Sequence, residues 1–156
     1  HAASGQSEIR IDGVDVNVRS LAFAENLFKR TQANFLGRKV VFMPHEIDIL
    51  KGFRLTGKYD LVLASKSIGE MVLEKGAGCY AEVVRKLAGL VNEGGMMMLI
   101  DIPKHRDALN AAIAPLQDDG FEGWSKQLTI MLHGIEDKEN FICACLTRGT
   151  SGIVKE

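Results

Sequence analysis

The sequence predicts an α/β fold, a mostly parallel sheet with helices on both faces and an antiparallel hairpin at its C-terminal end. Three observations carry this. Short apolar or β-branched runs alternate with segments of helical periodicity, the pattern of strand–helix–strand crossovers. One run, Tyr59-Asp60-Leu61-Val62-Leu63-Ala64, is apolar enough for a parallel strand covered on both faces. The last two apolar runs, 127–133 and 141–147, are separated only by the polar stretch 134–140, which suffices for a hairpin but not for a helical crossover.

The elements follow in order. Ile9, Ile11, Val14 and Val16 alternate with polar residues around Gly13, predicting a strand that ends near Asn17. Leu21, Ala24, Phe28 and Phe35 then share one helical stripe, with Lys29 and Arg30 off it and Asn17 or Ser20 placed as the cap. Residues 39–43 form a β-branched, aromatic strand closed by Pro44, and 46–53 leave room for one or two helical turns before Gly57. After the Tyr59 strand, 67–75 read as a short helix and Ala77-Gly78-Cys79 as a break. Tyr80, Val83, Val84, Leu87, Leu90 and Val91 fit the helical template without a miss, and Asn92-Glu93-Gly94-Gly95 stops that helix. Residues 96–102 are a buried strand, followed by a helix on Leu109, Ala112, Ile113 and Leu116 that Pro115 kinks or ends.

Composition bounds the rest. With 156 residues, 46% apolar and 25% charged, and only 3 Pro, the chain is expected to be one soluble globular domain. A domain of that size buries roughly 70% of its unfolded surface, so collagen-like, disordered and disulfide-stapled classes are excluded. The longest uncharged apolar stretch, 94–100, is far short of the roughly 18 residues of a membrane-spanning helix, so no membrane partner is expected. Residues 1–8 lack the basic and apolar regions of a secretory signal and read as a flexible tail, 9–149 as the domain and 150–156 as a second tail. A chain beginning with His rather than Met is expected to be processed or part of something longer.

A net charge of −1 gives no general pull toward nucleic acid, so Lys29-Arg30, Arg38-Lys39 and Lys104-His105-Arg106 read as solvated faces ahead of a phosphate-binding rim. Cys143 and Cys145 point to one face of a strand, where they are poor disulfide partners. With Cys79 as the third thiol, that places the chain in a reducing compartment, cytoplasmic or the mitochondrial matrix.

Four segments, in this order, resemble the class I S-adenosylmethionine-dependent methyltransferases. Gly13-Val14-Asp15-Val16-Asn17, with the helix after it, is similar to that family's strand ending in an acidic residue, which holds the cofactor's ribose hydroxyls. Lys39-Val40-Val41-Phe42-Met43-Pro44-His45-Glu46-Ile47-Asp48 resembles the next strand, whose end lies beside the adenine. Lys58-Tyr59-Asp60-Leu61-Val62-Leu63-Ala64-Ser65 resembles the strand beneath the reactive methyl, and residues 90–100 resemble the family's helix, double glycine and strand. The resemblance runs from about residue 9 to 149 and implies a Rossmann-like fold, S-adenosyl-L-methionine as cofactor and methyl transfer to an acceptor, whether RNA, protein or small molecule. One departure stands out. The family's first strand and its glycine-rich turn have no counterpart, because twelve residues precede Gly13 and they hold no Gly-x-Gly. That strand lies between the acidic strand and the Tyr59 strand, so its absence leaves two inner edges unpaired. A segment outside this sequence, a partner chain, or an Ile9 strand shifted into the gap would fill it.

The resemblance implies that Asp15, with Val16 beside it, takes the ribose, Glu46, Ile47 and Asp48 compete for the adenine, and Ala64 and Ser65 line the methyl-transfer crevice at the strand ends. Each has a plainer reading: Asp15 as a turn or cap residue, Glu46 and Asp48 as solvated acids at a helix start. Ala64-Ser65-Lys66-Ser67 stands where many amino-group methyltransferases carry Asn/Asp-Pro-Pro-aromatic, and the Lys-Asp-Lys-Glu tetrad of ribose methyltransferases is not matched either. No general base is evident. Lys66, Asp101 and His105 are the catalytic candidates by position. His45 beside Glu46 does not make a ligand set, so no metal is expected. Met96-Met97-Met98 reads as core filling. The rival reading is a non-catalytic methyltransferase-like module acting in complex or ribosome assembly, which Tyr59–Met71 faintly resembles. A nucleotide-binding oxidoreductase is disfavoured by the terminal hairpin.

Overall fold

The computed structural model describes residues 8–31, 38–52, 55–65, 68–69, 76, 78–131 and 138–150. The chain divides into two compact units, His1–Arg54 and Leu55–Glu156.

The first unit holds strand β1 (Glu8–Asp15), helix α1 (Val18–Thr31) and strand β2 (Lys39–Glu46). The strands pair in parallel without a slip, from Glu8 opposite Lys39 to Asp15 opposite Glu46. β1 ends at Asp15 rather than at Asn17 because Asn17 is the cap. Its backbone N–H donates to Asp15 Oδ1 at 2.8 Å, and its own Oδ1 accepts the Arg19 N–H at 2.9 Å. Ser20 lies inside the helix. α1 buries Leu21 and stacks Phe28 on Phe42, ring centroids 5.0 Å apart. Phe35 lies outside the described residues.

One expectation fails in this unit. Pro44 does not close β2, which runs on to Glu46. Among the described residues β2 pairs only with β1, and proline is tolerated on such an edge strand. After Glu46 the chain makes a single turn at Asp48, within the one or two helical turns expected there, its Oδ1 accepting the Leu50 N–H at 2.9 Å and its carbonyl accepting from Lys51 and Gly52.

The second unit runs β3 (Tyr59–Ser65), α2 (Gly78–Ala88), β4 (Val91–Asp101), a 3₁₀ turn (Pro103–His105), α3 (Arg106–Ile113), a second 3₁₀ turn (Ala114–Gln117), β5 (Phe121–Met131) and β6 (Lys138–Arg148). The sheet order is β3-β4-β6-β5, with β3 and β4 parallel and the β5–β6 hairpin antiparallel. The α/β class with a terminal hairpin therefore holds. Pro115 ends α3 in a 3₁₀ turn, as expected. Most of 67–75 lies outside the described residues, although Ile68 and Gly69 are helical.

Three details differ. α2 begins at Gly78, so the expected break there is the helix start, and it ends at Ala88 with Val91 already in β4. Asn92-Glu93-Gly94-Gly95 is thus an irregularity within a strand pair, not a helix stop. The register jumps from Tyr59 opposite Val91 to Leu61 opposite Met96, and Gly94 adopts φ +73°, a left-handed conformation that side-chain-bearing residues resist. β3 is not covered on both faces: Val62 is buried, but Leu61 and Leu63 are 55% and 58% exposed. Only Met97 of the methionine triplet is in the core, since alternation along β4 sends Met97, Leu99 and Asp101 inward and leaves Met96 exposed. Tyr80, Val83 and Val84 of α2, Leu109 of α3 and Ile142 of β6 complete that core. No helix among the described residues is long and apolar enough to cross a membrane.

Candidate functional site

In parallel sheets, ligand-binding groups collect at the carboxyl ends of the strands. In the first unit those ends belong to β1 and β2. The register sets Asp15 directly opposite Glu46, and the Ile47 N–H donates to the Asp15 carbonyl at 3.1 Å, so three of the expected cofactor residues meet there. Asp15 spends Oδ1 on Asn17, while Oδ2 has no partner among the described residues. Glu46 is exposed and unpaired among them, and Val16 is exposed. Asp48 is differently engaged. The Leu50 N–H, helped by Lys51 3.2 Å from Oδ2, holds its carboxyl below the usual carboxylate range. Asp15 and Glu46 therefore fit a ligand's hydroxyl or amino groups better than Asp48 does.

Sequence reasoning missed the cluster beside them. Asp12 accepts two bonds from Arg10, both at 2.9 Å, and its Oδ1 lies 2.6 Å from His45 Nε2 on the neighbouring strand. Arg10 and then His45 lower the Asp12 pKa against the opposing effect of burial. Period-two alternation places Arg10 and Asp12 on one face, which was the signal available.

In the second unit, Ala64 and Ser65 at the end of β3 pair with Leu99 and Ile100 of β4. Lys66 lies outside the described residues. One residue past Ile100, Asp101 is buried at 2% exposure and organises everything near it. Tyr80 Oη donates to its Oδ2 at 2.8 Å, and its Oδ1 accepts the Ile102 N–H at 2.7 Å and faces His105 Nδ1 at 3.0 Å. An ionised carboxylate only accepts, so facing one makes Nδ1 the donor of that contact. His105 is itself buried, at 7% exposure, and its Nε2 has no partner among the described residues. Burial, then the Asp101 hydrogen bond and charge, push the Tyr80 hydroxyl pKa far up. The structure thus brings Asp101 and His105 together and adds Tyr80, which the sequence had given only a core role.

The basic residues are mostly spent locally. Lys29 pairs with Glu25 at 2.7 Å and Lys39 with Glu8 at 2.7 Å, while Arg106 donates to Gln127. A cavity of about 270 Å³ in the second unit is lined by Arg85, Leu116, Asp119, Phe121 and Arg148. Arg148 donates to the Val91 carbonyl, so the cavity sits at the opposite end of β4 from Asp101. It is remote from the strand ends where the polar groups converge.

No protein-family model matches the sequence, and no curated protein is similar to it. Solved structures are. A methyltransferase from Pyrococcus furiosus superposes with a TM-score of 0.58 at 14% identity, covering 90% of this chain and 63% of its own. A SAM-dependent methyltransferase from Methanosarcina mazei gives 0.63 at 11% identity, over 90% of this chain and 82% of its own. This chain has the class I methyltransferase fold. The N-methyltransferase NodS from Bradyrhizobium japonicum adds 0.57 at 12% identity, over 92% and 86%. The chain spans under two thirds of the length of the Pyrococcus methyltransferase, and at these identities the likeness is one of fold.

Among the described residues, β1 pairs with β2 and β3 with β4.

Proposed function

We propose that residues 9–149 are the methyltransferase domain of an S-adenosylmethionine-dependent enzyme. The observation that carries this reading is the placement of acceptor-rich side chains at the carboxyl ends of parallel strands, in a chain with the methyltransferase fold. Asp15 takes the ribose hydroxyls through its free oxygen, with Val16 beside it. Glu46 takes the adenine amino group, Ile47 packs on the ring, and Asp48 shapes the turn that follows. Ala64, Ser65 and Lys66 are the residues that the sequence resemblance assigns to the acceptor.

When bound, the cofactor supplies an electrophilic methyl on a positively charged sulfur, and most of the rate comes from holding the nucleophile in line with it. The protein's share is orientation and the exclusion of water. Among the described residues β1 and β3 each pair on one side, which leaves room for a further strand from a partner chain or a longer form of this protein; the thiols fit a reducing compartment.

Calorimetric titration of the purified protein with S-adenosylmethionine and S-adenosylhomocysteine tests the reading. Binding of both, lost in Asp15→Ala, supports it. Absence of binding favours the assembly module, and binding that survives Asp15→Ala removes Asp15 from the site.

A further inference from the structure

We infer that the cavity at the amino-terminal end of β4 binds a small zwitterion, an α-amino acid with an apolar side chain, whose carboxylate is held by Arg85 and Arg148 and whose ammonium group is held by Asp119. This site is separate from the carboxyl ends of β3 and β4, and its ligand is independent of the methyltransferase reading.

The cavity belongs wholly to the second unit, and every residue lining it is among the described ones. Four places in the chain build it. The end of α2 supplies Arg85 and Ala88, the second 3₁₀ turn and the residues after it supply Leu116 and Asp119, the start of β5 supplies Phe121, and the end of β6 supplies Arg148. Hairpin register holds the last two together: Phe121 pairs with Arg148, and the Gly149 N–H donates to the Gly120 carbonyl at 2.8 Å. The wall is thus set by the ends of a helix and two paired strands, which hold side chains more firmly than a single loop does.

The charged groups are arranged for a ligand rather than for one another. Arg148 is half-buried and fixed on two sides. Its Nη1 donates to the Val91 carbonyl at 2.9 Å, and its guanidinium carbon lies 5.9 Å from the centroid of the Phe121 ring. Its remaining N–H donors keep the fork geometry that matches a carboxylate, and they have no partner among the described residues. Arg85 is unlike its neighbour Lys86, which pairs with Glu82 at 2.6 Å: it has no side-chain partner among the described residues. Nor does it serve the helix end, where the carbonyls of Arg85, Leu87 and Gly89 accept from Gly89 N–H, Leu90 N–H and Lys58 Nζ. Asp119 is equally unpartnered there, and so does not neutralise either arginine.

Two cations and one anion on one cavity select a ligand of both signs. A plain anion meets repulsion from Asp119, and a plain amine meets it from the two arginines. The floor supplies the remaining chemistry. Ala88, Leu116 and Phe121 are 5%, 2% and 3% exposed, an apolar surface for the ligand's side chain. Size then bounds the ligand. An apolar cavity of about 150 Å³ holds a benzene ring, so about 270 Å³ holds roughly ten non-hydrogen atoms, room for leucine or phenylalanine but not for a nucleoside.

The test is a titration of the ¹⁵N-labelled full chain, followed by its amide signals, with four probes: L-leucine, L-phenylalanine, 3-phenylpropionate, which lacks the ammonium group, and phenethylamine, which lacks the carboxylate. At least one amino acid should shift the Gly89, Asp119, Phe121 and Arg148 amides saturably, with a Kd below about 1 mM. Both truncated probes should bind about 10-fold or more weakly than phenylalanine, the scale of a lost charge-assisted hydrogen bond. Arg85→Gln and Asp119→Asn remove side chains without a partner in the described fold, so each should keep the wild-type melting temperature and weaken binding by about 10-fold. No saturable shift of those amides at about 10 mM of either amino acid overturns the site. So does 3-phenylpropionate or phenethylamine binding within a factor of about two of phenylalanine, or binding unchanged in both folded variants.

Discussion

Gly69 is seated directly against His105: a methyl group added at Gly69 would come within 2.3 Å of Nδ1 and 2.5 Å of Asp101 Oδ1. Two opposing effects make the substitution informative. Alanine is favoured over glycine in a helical turn by about 1 kcal/mol, whereas forcing a carbon into a filled site costs about 1–3 kcal/mol. The contact is with two hydrogen-bonded, buried side chains, so overpacking wins. Gly69→Ala is expected to lose about 1–2 kcal/mol in urea unfolding and to move the His105 ring ¹⁵N shifts. A gain in stability would show that the turn and the Asp101–His105 pair are not in contact.

Tyr80 gives the cluster a signature at high pH. Burial and the Asp101 carboxylate raise its pKa above the ordinary tyrosine value near 10. A raised folded-state pKa means that the stabilisation is complete below pH 10 and is lost as pH climbs past it, because the unfolded chain releases the proton first. Wild-type stability should therefore fall between pH 10 and pH 11. Tyr80→Phe should start about 1–3 kcal/mol lower at pH 8, its missing donor leaving Asp101 short of a partner, and show a shallower alkaline slope. Urea midpoints at pH 8, 10 and 11 decide it. Parallel slopes in the two proteins would remove Tyr80 from the titration.

What was legible in the sequence and what was not divides along physical lines. Periodicity reports faces, so the α2 stripe and the terminal hairpin could be read directly. The alternation along β4 went unread, and it carried a signal: Met97 and Leu99 are buried with Asp101 in phase behind them, and an acid on a buried face needs partners. Which partners could not be read, because Tyr80 reaches Asp101 through packing between α2 and β4. Asn92-Glu93-Gly94-Gly95 misled for a different reason. Glycine's freedom at positive φ serves a helix end and a strand irregularity alike, and only pairing with β3 tells them apart. At the carboxyl ends of β1 and β2, β-strand register could not be predicted from composition, yet it is the register that sets Asp15 opposite Glu46.

The Asp12 cluster predicts an acid limb for the first unit. Arg10, then His45, hold the Asp12 carboxyl below its ordinary value of 3.8 despite burial. A depressed folded-state pKa gives stability that is present above about pH 4 and lost as pH falls through the folded value. Arg10 is largely exposed, so solvent screening limits the effect to about 1 kcal/mol. Asp12→Asn should be less stable than wild type at pH 6 and should converge on it by pH 2 to 3, by denaturant titration followed in the far ultraviolet. A difference that persists unchanged into acid would mean that packing, not ionisation, is what Asp12 contributes.

Asp15 and Asn17 offer a separation of structural from binding roles. Asp15 Oδ1 accepts the Asn17 N–H, and Asn17 Oδ1 in turn accepts the Arg19 N–H, so the two residues form one chain of bonds leading into α1. Losing the cap in Asn17→Ala should cost about 1 kcal/mol, since a cap side chain satisfies one of the helix's free N–H groups, and Asn17→Asp should restore most of it. Of the two, Asp15 has a carboxylate oxygen without a partner among the described residues, the one proposed to take the ligand. Asn17→Ala should therefore bind S-adenosylmethionine with wild-type affinity at temperatures where it is folded, whereas Asp15→Ala should lose stability and binding together. Asp15→Asn keeps an acceptor for the Asn17 N–H but gives up the second carboxylate oxygen, so it should keep stability and still lose binding. Calorimetry on the three variants, with melting curves on the same samples, reads both quantities. An Asn17→Ala protein that is folded but no longer binds would reassign the ligand contact to the helix start itself.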